Sequence, residues 1–192
     1  MSFAKKVQRT LLALAAVAAI AAPTHATTLR RMGLEELVKA NGSIVVGEVL
    51  DVHSYWNEEG TFILTDVRVA PVEVIHGKPV QGDLTITLMG GTVGDLTTLI
   101  VGGAELAPGR FYVLFLNPED LPGARQALTV RDHCQGVFEI VADKSGVRAI
   151  SQANRHPLVP DAVGSTTPPG GREGLPLAAM VRSLRQIAQE VK

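Results

Sequence analysis

The chain has 192 residues, with 18 Lys and Arg against 19 Asp and Glu, a formal net charge of -1. That balance gives no electrostatic basis for holding nucleic acid or anionic lipid. The single cysteine excludes an internal disulfide framework, so a hydrophobic core must hold the fold unaided.

Lys5, Lys6 and Arg9 precede an apolar run from Leu11 to Ala22 and the small-residue stretch Pro23-Thr24-His25-Ala26. A basic start, a short apolar run and a small-residue site read as a signal peptide over residues 1–26, cut between Ala26 and Thr27. A membrane anchor is the competing reading, but the run falls short of the roughly 20 apolar residues that span a bilayer. Cleavage removes three basic residues and no acidic one, taking the formal charge from -1 to -4. The expected destination is the periplasm or the exterior, without a stable membrane anchor.

The remainder reads as a β domain over 27–150. A short helix is predicted over Leu34 to Ala40, with Leu34, Leu37 and Val38 on one face and Glu35 and Glu36 in its first turn. Ser43 to Tyr55 is too β-branched for a helix and reads as the first strand, with Gly47 marking a coil or a close approach. Thr61 to Gly77, TFILTDVRVAPVEVIHG, is the strand around which the rest is organised. Val67 and Val69 alternate with Asp66 and Arg68, and Val72 and Val74 then alternate in the opposite phase. A one-residue shift would turn the apolar set outward, so a bulge is expected at Ala70-Pro71, making this the corner strand of a small barrel.

Leu84, Ile86 and Leu88 alternate with Thr85 and Thr87, which continues an antiparallel meander. Gly90, Gly91, Thr92, Val93 and Gly94 form a loop that reads either as a flexible crossover or as a backbone cradle for an anion. Leu96 to Val101 reads as a short strand. Arg110 to Asn117 contains FYVLFL, apolar throughout, as a strand buried on both faces would be. Further strands are read at Leu128 to Val130, Val137 to Val141 and Val147 to Ile150. Residues 151–174 have the composition of a Pro/Gly-rich linker, and 175–192 form an amphipathic helix expected to dock on its own barrel or on a partner.

Chemical motifs are few. His53, His76, His133 and His156 fall in no metal-ligand spacing, so neither a metal nor a cofactor is expected. Tyr55 and Trp56, with His53, are candidates for an aromatic contact patch. His133-Cys134 is the one pair with latent reactivity, since an imidazole can lower a thiol pKa. No G-x-S-x-G elbow, paired-cysteine site or Walker loop occurs.

The phrases NGSIVVGEVLDVHSYW, EVIHG, DLTITL, GGTVG, GRFYVLFL and QGVFEIV, in that order, resemble the N-terminal domain of tissue inhibitors of metalloproteinases and other netrin-like modules. They are also similar to a family of exported bacterial proteins with the same segment order. The resemblance spans Met32 to Ala142 and implies an OB-fold, a five-stranded Greek-key barrel. The animal inhibitors chelate the protease zinc through a Cys-x-Cys start, whereas this mature chain would begin Thr27-Thr28-Leu29-Arg30. That chemistry does not carry over. The expectation is therefore a mainly β, OB-fold-like exported binding module, without enzymatic activity, that engages a protein, peptide or envelope component. The alternative is a thiol-dependent enzyme or redox protein using Cys134 with His133.

Overall fold

A computed structural model describes residues 30–119, 121–126, 128–144, 146–155 and 171–191. The residues read as a signal peptide with their expected Ala26-Thr27 cleavage site, His156 and the centre of the Pro/Gly-rich segment lie outside the described residues. The fold is mainly β. Helix α1 (Leu34–Ala40) leads into β1 (Ser43–Trp56), β2 (Ile63–His76), β3 (Leu84–Met89), β4 (Gly91–Val93), β5 (Leu96–Thr98), β6 (Phe111–Pro118) and β7 (Leu128–Val130). A 3-10 turn (His133–Gly136), β8 (Val137–Asp143), β9 (Gly146–Ser151), β10 (Leu175–Pro176) and α2 (Leu177–Glu190) complete it.

The main sheet runs β10-β9-β8-β6-β1-β2-β3, with β7 also on β6, while β4 and β5 form a separate hairpin. β1 and β2 pair along their whole length, but β6 pairs only with Ser43 to Glu48 and β3 only with Leu64 to Val69. Each long strand thus has one neighbour along its whole length and a second along only half of it, at opposite ends of the pair, which curls the sheet. β3 and β7 approach each other without pairing, so the barrel stays open along that seam.

The expected phase shift in β2 is present but displaced. Gly47 pairs with Pro71 and Val46 with Glu73, leaving Val72 as the extra residue, 67 % exposed. The proline ring and the restriction it places on Ala70 both favour extended backbone, so the bulge moves past them. A second irregularity falls at Ile75 on β2, and Leu50 is the extra residue on β1. β3 ends opposite Val69, so Pro71 has no neighbour on that side, and its missing N–H breaks no ladder there. A Cβ on Gly47 would lie 2.5 Å from Val69 Cγ1 and 2.9 Å from the Ala70 carbonyl oxygen, the close approach the sequence suggested.

FYVLFL is buried on both faces from Tyr112 to Leu116, as expected, whereas Phe111 at its start is 40 % exposed. Tyr112, Leu114 and Leu116 point into the barrel with Val45, Val49, Val67, Val69 and Ile86. Val113 and Phe115 point outward and pack with Phe138 under the two helices. There α1 contributes Leu37 and Val38, and α2 contributes Met180, Leu184 and Ala188. The C-terminal helix therefore docks in cis. Fewer of its side chains are sealed than periodicity suggested: Leu177, Val181 and Ile187 are half-buried and Val191 is exposed. Met180 and Leu184 together contribute about 3–6 kcal/mol, less than the backbone entropy of ordering 14 residues. The helix is stable because the sheet holds it, with Arg185 pairing Glu73 of β2 beside the contact.

The stretch read as linker is partly built into the domain. Ser151, Gln152 and Ala153 are buried, and Leu175-Pro176 pair with Arg148 and Ala149 before the chain enters α2. The sequence missed β4 and β10, and the strand expected over Leu96 to Val101 stops at Thr98.

Candidate functional site

The glycine loop closes one end of the barrel. Gly90 and Gly91 have φ of +89° and +131°, and a Cβ on Gly91 would lie 2.2 Å from Thr65 Oγ1 and 2.4 Å from Ser54 Oγ. Only glycine lets the backbone cross the inner face of β1 and β2 so closely. A relay of hydrogen bonds fastens the crossing. The Thr92 N–H donates to Ser54 Oγ at 3.4 Å, the Ser54 and Thr65 hydroxyls are 2.8 Å apart, and Thr65 donates to the Gly90 carbonyl at 2.6 Å. Since the Gly90 N–H also donates to the Ile63 carbonyl, two of the amides an anion would need are already engaged.

Beyond Gly91 the β4–β5 hairpin turns at Gly94-Asp95, and residues 99–106 fold back over the barrel mouth. Between them lies a cavity of about 550 Å³. Val52, Val67 and Leu88 line its floor, the Ser54 and Thr65 hydroxyls one wall, and Ile100 the covering loop. Gly90, Gly91 and Thr92 border it, whereas Val93 and Gly94 do not. Leu99 and Val101, on either side of Ile100, also line it while remaining 79 % and 85 % exposed, and Leu96 on β5 is 60 % exposed. Isolated exposed leucines are ordinary, but Leu99 and Val101 on the loop at the cavity, with Leu96 on the adjoining β5, form an exposed apolar stretch.

The expected aromatic patch is divided between two faces. His53 and Tyr55 stack on the outer face, with centroids 6.3 Å apart. Trp56, next in a strand of period two, points to the other face and is partly exposed. Tyr55 is buried. Its hydroxyl donates to Asp66 Oδ1 at 3.1 Å and accepts from the Arg125 N–H at 3.3 Å, with the Arg125 guanidinium 4.3 Å above the ring. Burial raises its pKa. Tyr55 thus pins the loop before β7 to the sheet, and neither it nor Trp56 lines the cavity.

Cys134 is fully buried, its N–H donates to the Gly102 carbonyl at 2.9 Å, and burial pushes its thiol pKa up. A buried thiol of raised pKa is the reverse of an activated nucleophile. His133 is separated from it by the turn: it lines a second cavity that Cys134 does not reach. Among the described residues no group of three or more His, Cys, Asp or Glu converges as a metal site.

The second cavity, of about 400 Å³, occupies the seam where the barrel fails to close. Leu88 and Met89 of β3 line one side, Thr129 and Val130 of β7 the other, and Asp132 and His133 one end. It shares Leu88, Met89, Ile100, Gly103 and Ala104 with the first. Gln135 braces this end by accepting from the Met32 N–H at 2.8 Å and donating to the Arg30 carbonyl at 3.0 Å. Sequence reasoning passed over Asp132, which has no recognisable motif around it and reads as an ordinary turn residue.

No family model matches the chain. The chain is 27 % identical over 128 residues to the sn-glycerol-3-phosphate import ATP-binding protein UgpC of Burkholderia thailandensis, an alignment covering 64 % of this chain and 35 % of that protein. The chain thus spans about a third of the length of this relative.

Proposed function

We propose that this is an exported, non-enzymatic binding module, working in the periplasm or outside the cell, that takes an apolar side chain of a partner protein into the mouth of a netrin-like barrel. The reading is carried by one observation: the amphipathic cavity under the glycine loop is covered by a segment whose leucine and valine side chains face water. Covering Leu99 and Val101 would contribute about 3–6 kcal/mol, enough to anchor a contact that hydroxyls at the cavity wall then orient. Export rests on the basic and apolar leader of residues 1–26. A thiol mechanism draws no support from a cysteine shut off from both cavities. The similarity to an ATP-binding protein brings no nucleotide site, because the chain has no G-x-x-x-x-G-K-[ST] loop.

The test is a photo-crosslinking amino acid placed at Leu99 in the native host, with the same group at Val147, exposed on β9, as control. One defined adduct at position 99, absent at 147 and lost when Val101 is changed to Asp, supports the reading. Equal labelling at both sites, or none at 99, refutes it. Recovery of the chain from the cytoplasm with its leader intact refutes export.

A further inference from the structure

The hydroxyl relay beneath the glycine loop has a fixed direction. The Gly90 carbonyl can only accept, so the 2.6 Å bond from Thr65 takes up the Thr65 hydroxyl proton. The 2.8 Å bond between the two hydroxyls is then donated by Ser54, which takes up the second proton. Reversing the order would strip the buried bond at Gly90 of its donor, the costlier arrangement. At the other end the Thr92 N–H donates to Ser54 Oγ. Each hydroxyl oxygen has two lone pairs, one of them occupied, so Ser54 and Thr65 each keep one lone pair and no free proton.

Ser54 and Thr65 are the only polar residues that the main sheet contributes to the first cavity, beside Val52, Val67, Leu88 and Met89. The other hydroxyls around it, of Thr92, Thr97 and Thr98, belong to the β4–β5 hairpin, where Thr92 and Thr97 are exposed and bond each other at 2.9 Å. Glu105, the one ionisable side chain among the described residues lining the cavity, is an exposed acceptor. The sheet wall is therefore apolar with hydroxyl acceptors alone. It satisfies an entering N–H and gives an entering carbonyl or carboxylate no hydroxyl donor.

We propose that the side chain taken by this cavity is the indole of a partner's tryptophan, held by its N–H on the free lone pair of Ser54 Oγ. The inference deepens the reading that the cavity receives a partner's side chain, and rests on it. Tryptophan is the side chain that joins a large apolar body to a hydrogen-bond donor without an acceptor or a charge. Phenylalanine would leave the hydroxyl lone pairs unmatched, tyrosine brings an acceptor of its own, and lysine would carry a charge against Val52, Val67 and Leu88. Ser54 is half-buried whereas Thr65 is 7 % exposed, which makes Ser54 the acceptor within reach. A cavity of about 550 Å³ has room for the bicyclic ring.

The experiment titrates the full chain with the N-acetyl amides of tryptophan and of 3-benzothienylalanine, whose ring has the same shape with sulfur in place of the N–H. Both probes should shift the backbone amide resonances of Ser54 and Thr92 to saturation. The preference for tryptophan, taken as the ratio of the two dissociation constants, should fall about two- to tenfold in the Ser54→Ala/Thr65→Val double variant, the worth of one hydrogen bond. In the unsubstituted chain the indole N–H resonance of the bound probe should move downfield, a readout that needs no variant. An unchanged ratio, an indole N–H that does not move, or no saturable shift with either probe overturns the proposal. A defined adduct at Leu99 beside an unchanged ratio removes the choice of indole alone, whereas absence of that adduct removes the reading beneath it, so the two fail distinguishably.

Discussion

Replacing Gly91 by alanine tests whether the glycine loop is a fitted closure of the barrel or a slack crossover. At φ of +131° an L side chain is strained, at a cost of about 1–3 kcal/mol. The new Cβ would also meet Thr65 Oγ1 at 2.2 Å and Ser54 Oγ at 2.4 Å, so the hydroxyl relay must part. Losing the Ser54–Thr65 and Thr65–Gly90 bonds costs about 0.5–1.5 kcal/mol each. The expected loss is about 2–6 kcal/mol, a large part of the roughly 5–15 kcal/mol that holds a domain. Gly94→Ala is the control: its φ is +59° but nothing lies within 4 Å, so it should lose only about 1–2 kcal/mol. Thr65→Ala in the Gly91→Ala background removes the nearer obstacle and should recover about 1 kcal/mol or more relative to additivity. Urea unfolding of the wild type, the three single variants and the Gly91→Ala/Thr65→Ala double variant measures this. Equal losses at Gly91 and Gly94, or strict additivity with Thr65→Ala, would refute the argument that the loop is clamped by those hydroxyls.

Three further expectations follow from the same structure. Leu184→Ala, beneath α2, should cost about 2–5 kcal/mol, whereas Arg185→Ala, which removes the exposed pair with Glu73, should cost less than about 1 kcal/mol; thermal or urea unfolding separates them. The raised pKa of Cys134 means that the fold holds the protonated thiol, so this contribution is whole below the unfolded thiol value of about 8.5 and is lost as pH climbs toward the folded value. Tyr55 and Tyr112 act in the same direction at higher pH. The urea midpoint should therefore fall above about pH 8.5, and less steeply in Cys134→Ala; an unchanged slope counts against the burial argument. Iodoacetamide should leave Cys134 unmodified until the chain is unfolded. Val101→Asp should change stability by no more than about 0.5 kcal/mol while removing the adduct formed at position 99, because the Val101 side chain is exposed in the free protein.

Much of the fold was legible because the relevant signals are local. The helix over Leu34 to Ala40 begins and ends where its acidic first turn and Asn41-Gly42 predict. β6 is apolar from Tyr112 to Leu116 because one face lines the barrel and the other carries the helices, and a two-sided burial needs no long-range information to be written. The need for a bulge in β2 was likewise visible in the reversed phase of its valines. Its position was not, because Pro71 keeps its strand partner and passes the irregularity to Val72, a choice made between two strands rather than within one.

The candidate sites divide in the same way. That Gly90 and Gly91 adopt positive φ is a property of their own backbone, readable in the sequence. That Ser54 and Thr65, far away along the chain, leave no room for a Cβ depends on how β1 and β2 cross beneath them. Cys134 and His133 are neighbours in sequence, yet one is sealed in the core and the other borders a cavity, since the turn that separates them is set by its packing against Gly102 and Phe115. Composition and periodicity by themselves determined a mainly β chain with two helices and a two-faced central strand, because side-chain alternation is written residue by residue. Only the tertiary structure decided that the barrel remains open between β3 and β7, and that Asp132 beside the gap has a buried carboxylate oxygen without a hydrogen bond. Closure and cavities are differences between strands far apart in the chain, and no local pattern carries them.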